Sequence, residues 1–132
     1  MPGHNVEMPA SERCPCLSGL TYPECCGRFH AGEPAPTAEA LMRSRFTAFA
    51  RGDAGYLLTT WHPSTRPATL EVDDDIRWYR LDVTDRVKGG PLDTDGVVAF
   101  EAFWRSEAER DSQVERSRFV RERGRWYYVD GD

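Results

Sequence analysis

The stretch TAEALMRSRFTAFARG (residues 37–52) carries the clearest helical signal in the chain and marks the start of a folded body. Thr37 can cap the helix, and Glu39 follows in the first turn. Gly52 ends the pattern, so we expect a helix from Ala38 to Arg51. With about 100° of rotation per residue, one side of this helix is apolar. The residues on that side are Leu41, Met42, Ala48 and Phe49.

A second, shorter helix follows at residues 53–60, where the apolar residues are Tyr56, Leu57 and Leu58. The sequence WHPST (residues 61–65) ends it, because Pro63 disfavours helical backbone at the residue before it. The first half of the body is therefore predicted to be helical.

The second half is rich in aromatic and β-branched residues with partial alternation, separated by turn-like segments. This pattern predicts four strands, at residues 77–87, 96–106, 113–123 and 125–129. Consecutive hairpins form an antiparallel sheet. Helices followed by such a meander predict an α+β fold, with the helices packed on one face of the sheet.

Arg45 is the most informative anomaly, because it falls in the middle of the apolar helix face. A charge there is costly unless it is paired. Glu101 and Glu115, which lie in apolar or aromatic strand patterns, are the candidate partners. Two interpretations stay open: a structural ion pair between helix and sheet, which we favour, and a pocket for an anionic small molecule. Arg43 falls on the opposite face and is expected to be solvated.

Trp61 and His62 lie where the second helix ends, a place from which a general base could face a cleft. A structural role for His62 is the more common situation, since no nucleophile stands beside it in sequence. The candidate ligand-binding residues are Arg45, Trp61, His62, Glu101 and Glu115. The candidates for any catalysis are Arg45, His62 and Glu115.

All four cysteines lie between positions 14 and 26, in the spacing C-x-C-x8-C-C. Two close pairs joined by a short loop suit tetrahedral zinc, and so short a segment needs metal ligation to fold. The ligands expected for one structural Zn²⁺ are Cys14, Cys16, Cys25 and Cys26. His30 is an alternative to Cys26 as the fourth ligand. A disulfide or redox motif fits less well, because C-x-x-C is absent. Four protein ligands would leave no open position for hydrolysis.

Composition narrows the function classes. The net charge of −5 argues against nucleic-acid binding, and a salt-bridged or solvated strand face is the favoured interpretation of Arg116 and Arg118. The longest apolar run, residues 97–100, is too short for a membrane span. The N-terminal residues MPGHNVEMPASER contain no apolar segment typical of a secretory signal. A cytoplasmic location is the resulting expectation, and thiols stay reduced there.

Two resemblances add to this interpretation. CPCLSGLTYPECCGRFH (residues 14–30) resembles the SEC-C motif, which implies zinc and contact with a protein or ribosomal partner. Residues 36–67 and SRFVRERGRWYYVDG (residues 117–131) resemble the YchJ-like bacterial proteins. That resemblance implies a nuclear transport factor 2-like domain, cone-shaped, with helices inside a curved antiparallel sheet. A histidine often precedes the glutamate of E-x-S-R-F in that family, whereas this chain has Val114.

The expected organisation is a flexible tail (residues 1–13), a SEC-C zinc motif (14–30), a linker (31–36) and a nuclear transport factor 2-like domain (37–132). The expected function is that of an adaptor or binding protein. The zinc motif would contact a partner and the cone could bind a small molecule. The alternative is a small-molecule hydrolase or isomerase with a pocket around Arg45 and His62, which rests on analogy between folds.

Overall fold

Three helices precede four strands in residues 12–132, the part of the chain that the computed structural model describes. The helices are α1 (Cys26–His30), α2 (Ala38–Arg51) and α3 (Ala54–Thr59). The strands are β1 (Arg77–Lys88), β2 (Asp95–Arg105), β3 (Arg110–Glu122) and β4 (Arg125–Gly131). The predicted α+β order is confirmed. None of these helices is long and apolar enough to cross a membrane.

The helix α2 has the predicted bounds because both of its ends are capped by the residues that the sequence indicated. The Thr37 side chain accepts a hydrogen bond from the Ala40 amide at 3.0 Å. Gly52 adopts left-handed backbone with φ 75°, a conformation that costs glycine little. The helix α3 is one residue shorter at each end than predicted, because Asp53 caps it by accepting from the Tyr56 amide.

The four strands form one antiparallel sheet in the order β1-β2-β3-β4, so each strand pairs with its neighbour in sequence. Register shifts interrupt β1 at two places and the β3–β4 pairing at one, between Arg118 and Phe119. Such bulges bend strands and increase their twist. The sheet packs one face against α2, which contacts β1, β2 and β4.

The turn between β1 and β2 holds the start of α2. The Ala38 amide donates to the Gly89 carbonyl oxygen at 2.9 Å. A Cβ atom on Gly89 would lie 2.8 Å from the Ala38 Cβ, and the φ of Gly89 is +82°. Glycine is therefore required there, both by its backbone conformation and by the close approach of the helix.

The other side of α2 is covered by the cysteine segment, which the sequence predicts to be a separate motif joined to the body by a linker. All four cysteines are buried in the same hydrophobic cluster as the residues between helix and sheet. The physical reason is that α2 has two buried sides, and the cysteine segment closes the one that faces away from the sheet. We call residues 12–30, which include α1, the knuckle.

The segment predicted as a linker, residues 31–36, also lies against the body. Trp126 Nε1 donates to the Pro36 carbonyl oxygen at 3.4 Å, and Arg125 donates to that of Gly32 at 3.3 Å. The predicted flexible tail falls mainly on residues 1–11, outside the described residues. Its last two residues belong to the knuckle, since the Tyr22 amide donates to Glu12 and Arg13 pairs with Thr21 in a short bridge.

Candidate metal centre and ligand cavity

The four cysteine side chains converge on one point in the knuckle. Cys14 and Cys16 lie in a turn, whereas Cys25 and Cys26 lie at the start of α1. All four Sγ atoms lie within 4.8 Å of one another, and all four thiols are buried and free of disulfides. The Sγ atom of Cys25 is 3.6 Å from that of Cys16 and 3.9 Å from that of Cys26.

These distances fit a tetrahedral zinc ion. A Zn–S bond of about 2.3 Å places tetrahedral sulfur ligands about 3.8 Å apart, close to the two separations just given. The donor set of four thiolates is also one that zinc prefers. Bound there, zinc would cross-link the turn to α1 and would keep no open coordination position.

Hydrogen bonds from outside the cysteine cluster orient the thiols. The Ser18 hydroxyl donates to Cys25 Sγ at 3.1 Å, and Cys14 Sγ lies 3.6 Å from Thr47 Oγ1 of α2. Hydrogen bonding from neighbouring thiols, Cys16 first, lowers the pKa of Cys14, and the same contact raises the pKa of Cys16 to about 11. Because these thiols lie so close together, their proton affinities differ, and metal binding displaces the protons.

Arg43 is a contact between body and knuckle rather than the solvated residue that the sequence suggested. Its Nη1 atom donates to the Cys16 carbonyl oxygen at 2.9 Å, and its Nε donates to Glu39 at 3.0 Å. The helix wheel placed Arg43 correctly on the face away from the sheet. That face is covered by the knuckle.

His30 has both ring nitrogens engaged away from the cysteine cluster. Its Nε2 lies 2.9 Å from the Ser44 carbonyl oxygen, which can only accept, so Nε2 carries the proton. Nδ1 then accepts from the Tyr22 hydroxyl at 2.7 Å. Burial lowers the pKa of His30, which favours this neutral form. The geometry favours Cys26 over His30 as the fourth metal ligand.

On the opposite side of α2, Arg45 is buried, with 6% of its surface exposed. Its Nη1 donates to the Leu57 carbonyl oxygen at 2.8 Å and to Thr60 Oγ1 at 2.7 Å. The guanidinium carbon lies 4.5 Å from the Tyr128 ring centre and 5.3 Å from that of Trp61. Burial lowers the pKa of Arg45 to about 10, so the side chain stays charged at neutral pH.

Arg45 lines a cavity of about 160 Å³ between α2 and the inner face of the sheet. The walls are mostly aromatic, and the polar lining comes from a few side chains. The lining residues with polar groups are Arg45, Trp61, Gln113, Glu115, Ser117 and Tyr128. An apolar cavity with a few convergent polar groups is the usual form of a small-molecule site.

Three of the five candidate ligand-binding residues, Arg45, Trp61 and Glu115, line this cavity. Glu115 and Arg45 do not form an ion pair in the described structure, so the carboxylate partner expected for Arg45 is not found there. Glu115 instead accepts hydrogen bonds from Ser117 at 2.6 Å, Gln113 at 3.1 Å and Tyr128 at 3.4 Å.

The other two candidates lie elsewhere. Glu101 is directly between Phe100 and Ala102, which line the cavity, so its side chain is on the other face of β2, where it accepts from Ser112 at 2.6 Å. His62 binds Ser64 through Nδ1 at 2.7 Å and Glu122 through Nε2 at 3.0 Å, outside the cavity lining.

Sequence reasoning missed Tyr128, which stacks on Arg45, donates to Glu115 and has its pKa raised to about 12 by burial. The alternation of inward and outward side chains along β4 could have placed Tyr128 on the inner face.

The arginines of β3 behave as expected for a salt-bridged face: Arg116 pairs with Asp85 and Arg118 with Asp130. Val114, which precedes Glu115 in β3, is exposed.

Comparison with known proteins agrees with this architecture over nearly the whole chain. Residues 37–131 match the family described as YchJ, middle NTF2-like domain, and residues 11–28 match the SEC-C motif. The chain belongs to the YchJ-like family. A UPF0225 protein of Corynebacterium glutamicum is 56% identical to this YchJ-like chain over 122 residues, 92% of the chain and 97% of the relative. One of Streptomyces coelicolor is 52% identical over 120 residues, covering 90% of the chain and 94% of the relative.

Two solved structures share the fold of the YchJ-like chain. The solution structure of a SEC-C motif containing protein from Rhodopseudomonas palustris has a TM-score of 0.78 and 35% identity, covering 90% of this chain and 96% of that one. The crystal structure of a SEC-C motif containing protein from Psychrobacter arcticus has a TM-score of 0.76 and 25% identity, covering 93% of this chain and 84% of that one.

Proposed function

We propose that the chain is a zinc-stabilised binding protein whose cavity holds a small molecule and whose knuckle contacts a protein partner in the cytoplasm. The observation that carries the first part is the placement of Arg45: a buried cation that lines an apolar cavity and has no carboxylate within ion-pair distance in residues 12–132. A structural arginine is normally paired when buried, whereas a ligand-binding arginine keeps donors for its ligand.

The test of the cavity is a fragment screen on the zinc-loaded full chain, read by ligand-observed NMR. Fragments that bind to the wild-type chain should give no change in NMR signal with Ala102→Leu. Ala102 is buried in the wall of the cavity, so the larger side chain fills the space. The control is Val114→Leu, which adds one methylene on the exposed face of the sheet. Binding that survives Ala102→Leu with the fold intact would place the ligand elsewhere and overturn this part of the proposal.

The partner-binding part rests on two apolar side chains that the knuckle exposes. Leu17 and Leu20 are 55% and 47% exposed and lie between the two cysteine pairs. The Cys14 amide donates to the Leu20 carbonyl oxygen at 2.9 Å, and the Leu17 amide donates to that of Cys14 at 3.1 Å. The loop is thereby tied to the metal ligands, and such exposed apolar positions suit a contact surface.

Co-sedimentation with ribosomes and affinity capture test this surface. Leu17→Ser with Leu20→Ser should abolish the contact while one equivalent of zinc is retained, because neither side chain is buried. The control is Leu92→Ser, which is 92% exposed in the β1–β2 turn. A partner that is bound equally by all three proteins would contradict the assignment to the knuckle.

The arrangement favours binding over the alternative of a hydrolase or isomerase. That alternative required Arg45 and His62 in one pocket, and His62 lies outside the cavity lining. Glu115 is the carboxylate that lines the cavity with Arg45, and three hydrogen-bond donors already hold it. A carboxylate held in this way orients or selects a ligand more readily than it abstracts a proton.

A further inference from the structure

We infer that the cavity selects a small monocarboxylate with a single aromatic ring, its carboxylate at Arg45 and its ring among the aromatic walls. This inference rests on the proposed ligand-binding function and adds the chemical class of the ligand. Three features carry it: hydrogen-bond donors without acceptors, the size and chemistry of the walls, and the position of Glu115.

The donors belong to the guanidinium group of Arg45. Both hydrogen bonds of Arg45 in the described residues use Nη1, which leaves Nε and Nη2 without a protein acceptor there. Buried donors without acceptors are rare in folded proteins and indicate a missing acceptor. A carboxylate offers two oxygens and pairs with arginine through two parallel hydrogen bonds.

The size of the cavity limits the rest of the ligand. At about 160 Å³ it is comparable to an engineered apolar cavity of about 150 Å³ that binds benzene. The walls offer rings on several sides, which favour stacked or edge-to-face contacts with a ligand ring. The aromatic wall residues other than those near Arg45 are Phe46, Phe49, Trp78, Phe100 and Phe119. A nucleotide or a long acyl chain exceeds this volume.

Glu115 adds selection against a second negative charge. It lines the same cavity as Arg45, and its carboxylate already accepts from Ser117, Gln113 and Tyr128. A ligand dianion would place its second charge near this carboxylate, where like charges repel in a poorly hydrated site. The cavity therefore favours a monoanion over a dicarboxylate.

The experiment titrates the zinc-loaded full chain at neutral pH with four probes: benzoate, benzyl alcohol, benzylamine and phthalate. Affinity is measured by calorimetry and by tryptophan fluorescence. Benzoate should bind at least about tenfold more tightly than each of the other three, because it alone pairs with Arg45 without meeting Glu115. Benzylamine carries the opposite charge, and benzyl alcohol carries none.

Two variants assign the effect to residues. Arg45→Met should weaken benzoate about tenfold or more while leaving benzyl alcohol within about threefold, because only the charged contact is lost. Arg45→Lys keeps the positive charge, removes the planar pair of donors and should weaken benzoate severalfold even if Arg45→Met does not fold. The control Arg80→Met removes an exposed cation on β1 and should change no affinity.

The outcomes separate the two proposals. If benzyl alcohol binds as well as benzoate, and Arg45→Met leaves the ratio unchanged, the monocarboxylate class is wrong while the binding cavity stands. If none of the four probes binds but the fragment screen yields Ala102-sensitive ligands, the class is again wrong. If neither experiment finds a ligand, the cavity is structural and both proposals fail.

Discussion

The two sides of α2 face different kinds of interior. Toward the knuckle the helix presents polar and backbone groups: Thr47 beside Cys14, the Ser44 carbonyl at His30, and Arg43 on the Cys16 carbonyl. Toward the sheet it presents Met42, Phe46 and Phe49, and the buried Arg45 lies among them. The first side is joined by hydrogen bonds to the cysteine cluster that could hold a metal, whereas the second packs apolar side chains around a cavity.

This contrast places the two proposed functions on opposite sides of one short helix. The knuckle side is closed by groups whose hydrogen bonds are satisfied, which suits a structural centre. The sheet side contains a buried cation, a cavity and unpaired donors, which suits a binding site. The most direct way to test the contrast is to substitute a residue on one side of α2 and to measure the stability or the zinc content that depends on the other side.

The largest effect is expected from Cys16→Ser, which removes one metal ligand. Structural zinc supplies about 10–16 kcal/mol to small zinc peptides, so the variant should lose at least about 5 kcal/mol of unfolding free energy. Because the cysteines share a core with α2, thermal unfolding followed in the near-ultraviolet should shift for the whole chain. An unchanged transition of the sheet with loss of zinc would show that the knuckle is an independent unit.

Phe46→Ala damages the other side. Phe46 is buried between α2 and the sheet, and truncation of a buried phenylalanine costs about 3–5 kcal/mol. Metal analysis should still give one equivalent of zinc, since the contacts to the knuckle come from the opposite face of the helix. Zinc loss in this variant at a temperature where it stays folded would contradict the separation of the two sides.

A smaller effect is expected from Arg43→Met, which keeps the stem of the side chain and removes its donors. The hydrogen bond to the Cys16 carbonyl involves a charged group, so the loss should be about 1–2 kcal/mol, with faster zinc transfer to a chelator. The matched control is Arg80→Met on the exposed side of the sheet. Equal transfer rates in the two variants would mean that Arg43 does not support the metal site.

The smallest effect concerns pH. Burial holds the pKa of His30 below its ordinary value, so between that lowered pKa and about 6.5 the unfolded chain binds more protons than the folded chain. The contribution of neutral His30 to the free energy of unfolding is complete above about pH 6.5 and declines as the pH falls below that value. The free energies of unfolding of wild type and His30→Gln, measured in urea, should therefore differ less at pH 5.5 than at pH 7.5. A constant difference would show that His30 does not titrate with unfolding.

The sequence predicted the elements well because their signals are local. Thr37 and Gly52 mark the ends of α2 by capping chemistry, and turn residues separate the strands. The burial of Arg45 followed from helical periodicity alone. The cysteine spacing likewise indicated the metal cluster, because its ligands lie close together in sequence.

What the sequence could not supply were contacts between distant segments. Nothing in the knuckle residues indicates that they pack on α2, so Arg43 was expected in solvent. Glu101 was ambiguous because β2 is apolar on both faces, and alternation there gives no direction. The place of His62 depends on its pairing with Glu122, sixty residues away, and the role of Tyr128 depends on register.

The position of α2 between knuckle and sheet also bears on the order in which the chain is made. The knuckle and α2 are complete once residue 51 has been synthesised, so a metal ion can already hold them together. The sheet that covers the other side begins with β1 and is complete only with β4, roughly 80 residues later, which at typical synthesis rates takes about 4–16 s. We expect the metal centre to form on the growing chain, before the sheet that packs against the aromatic side of α2 has been synthesised.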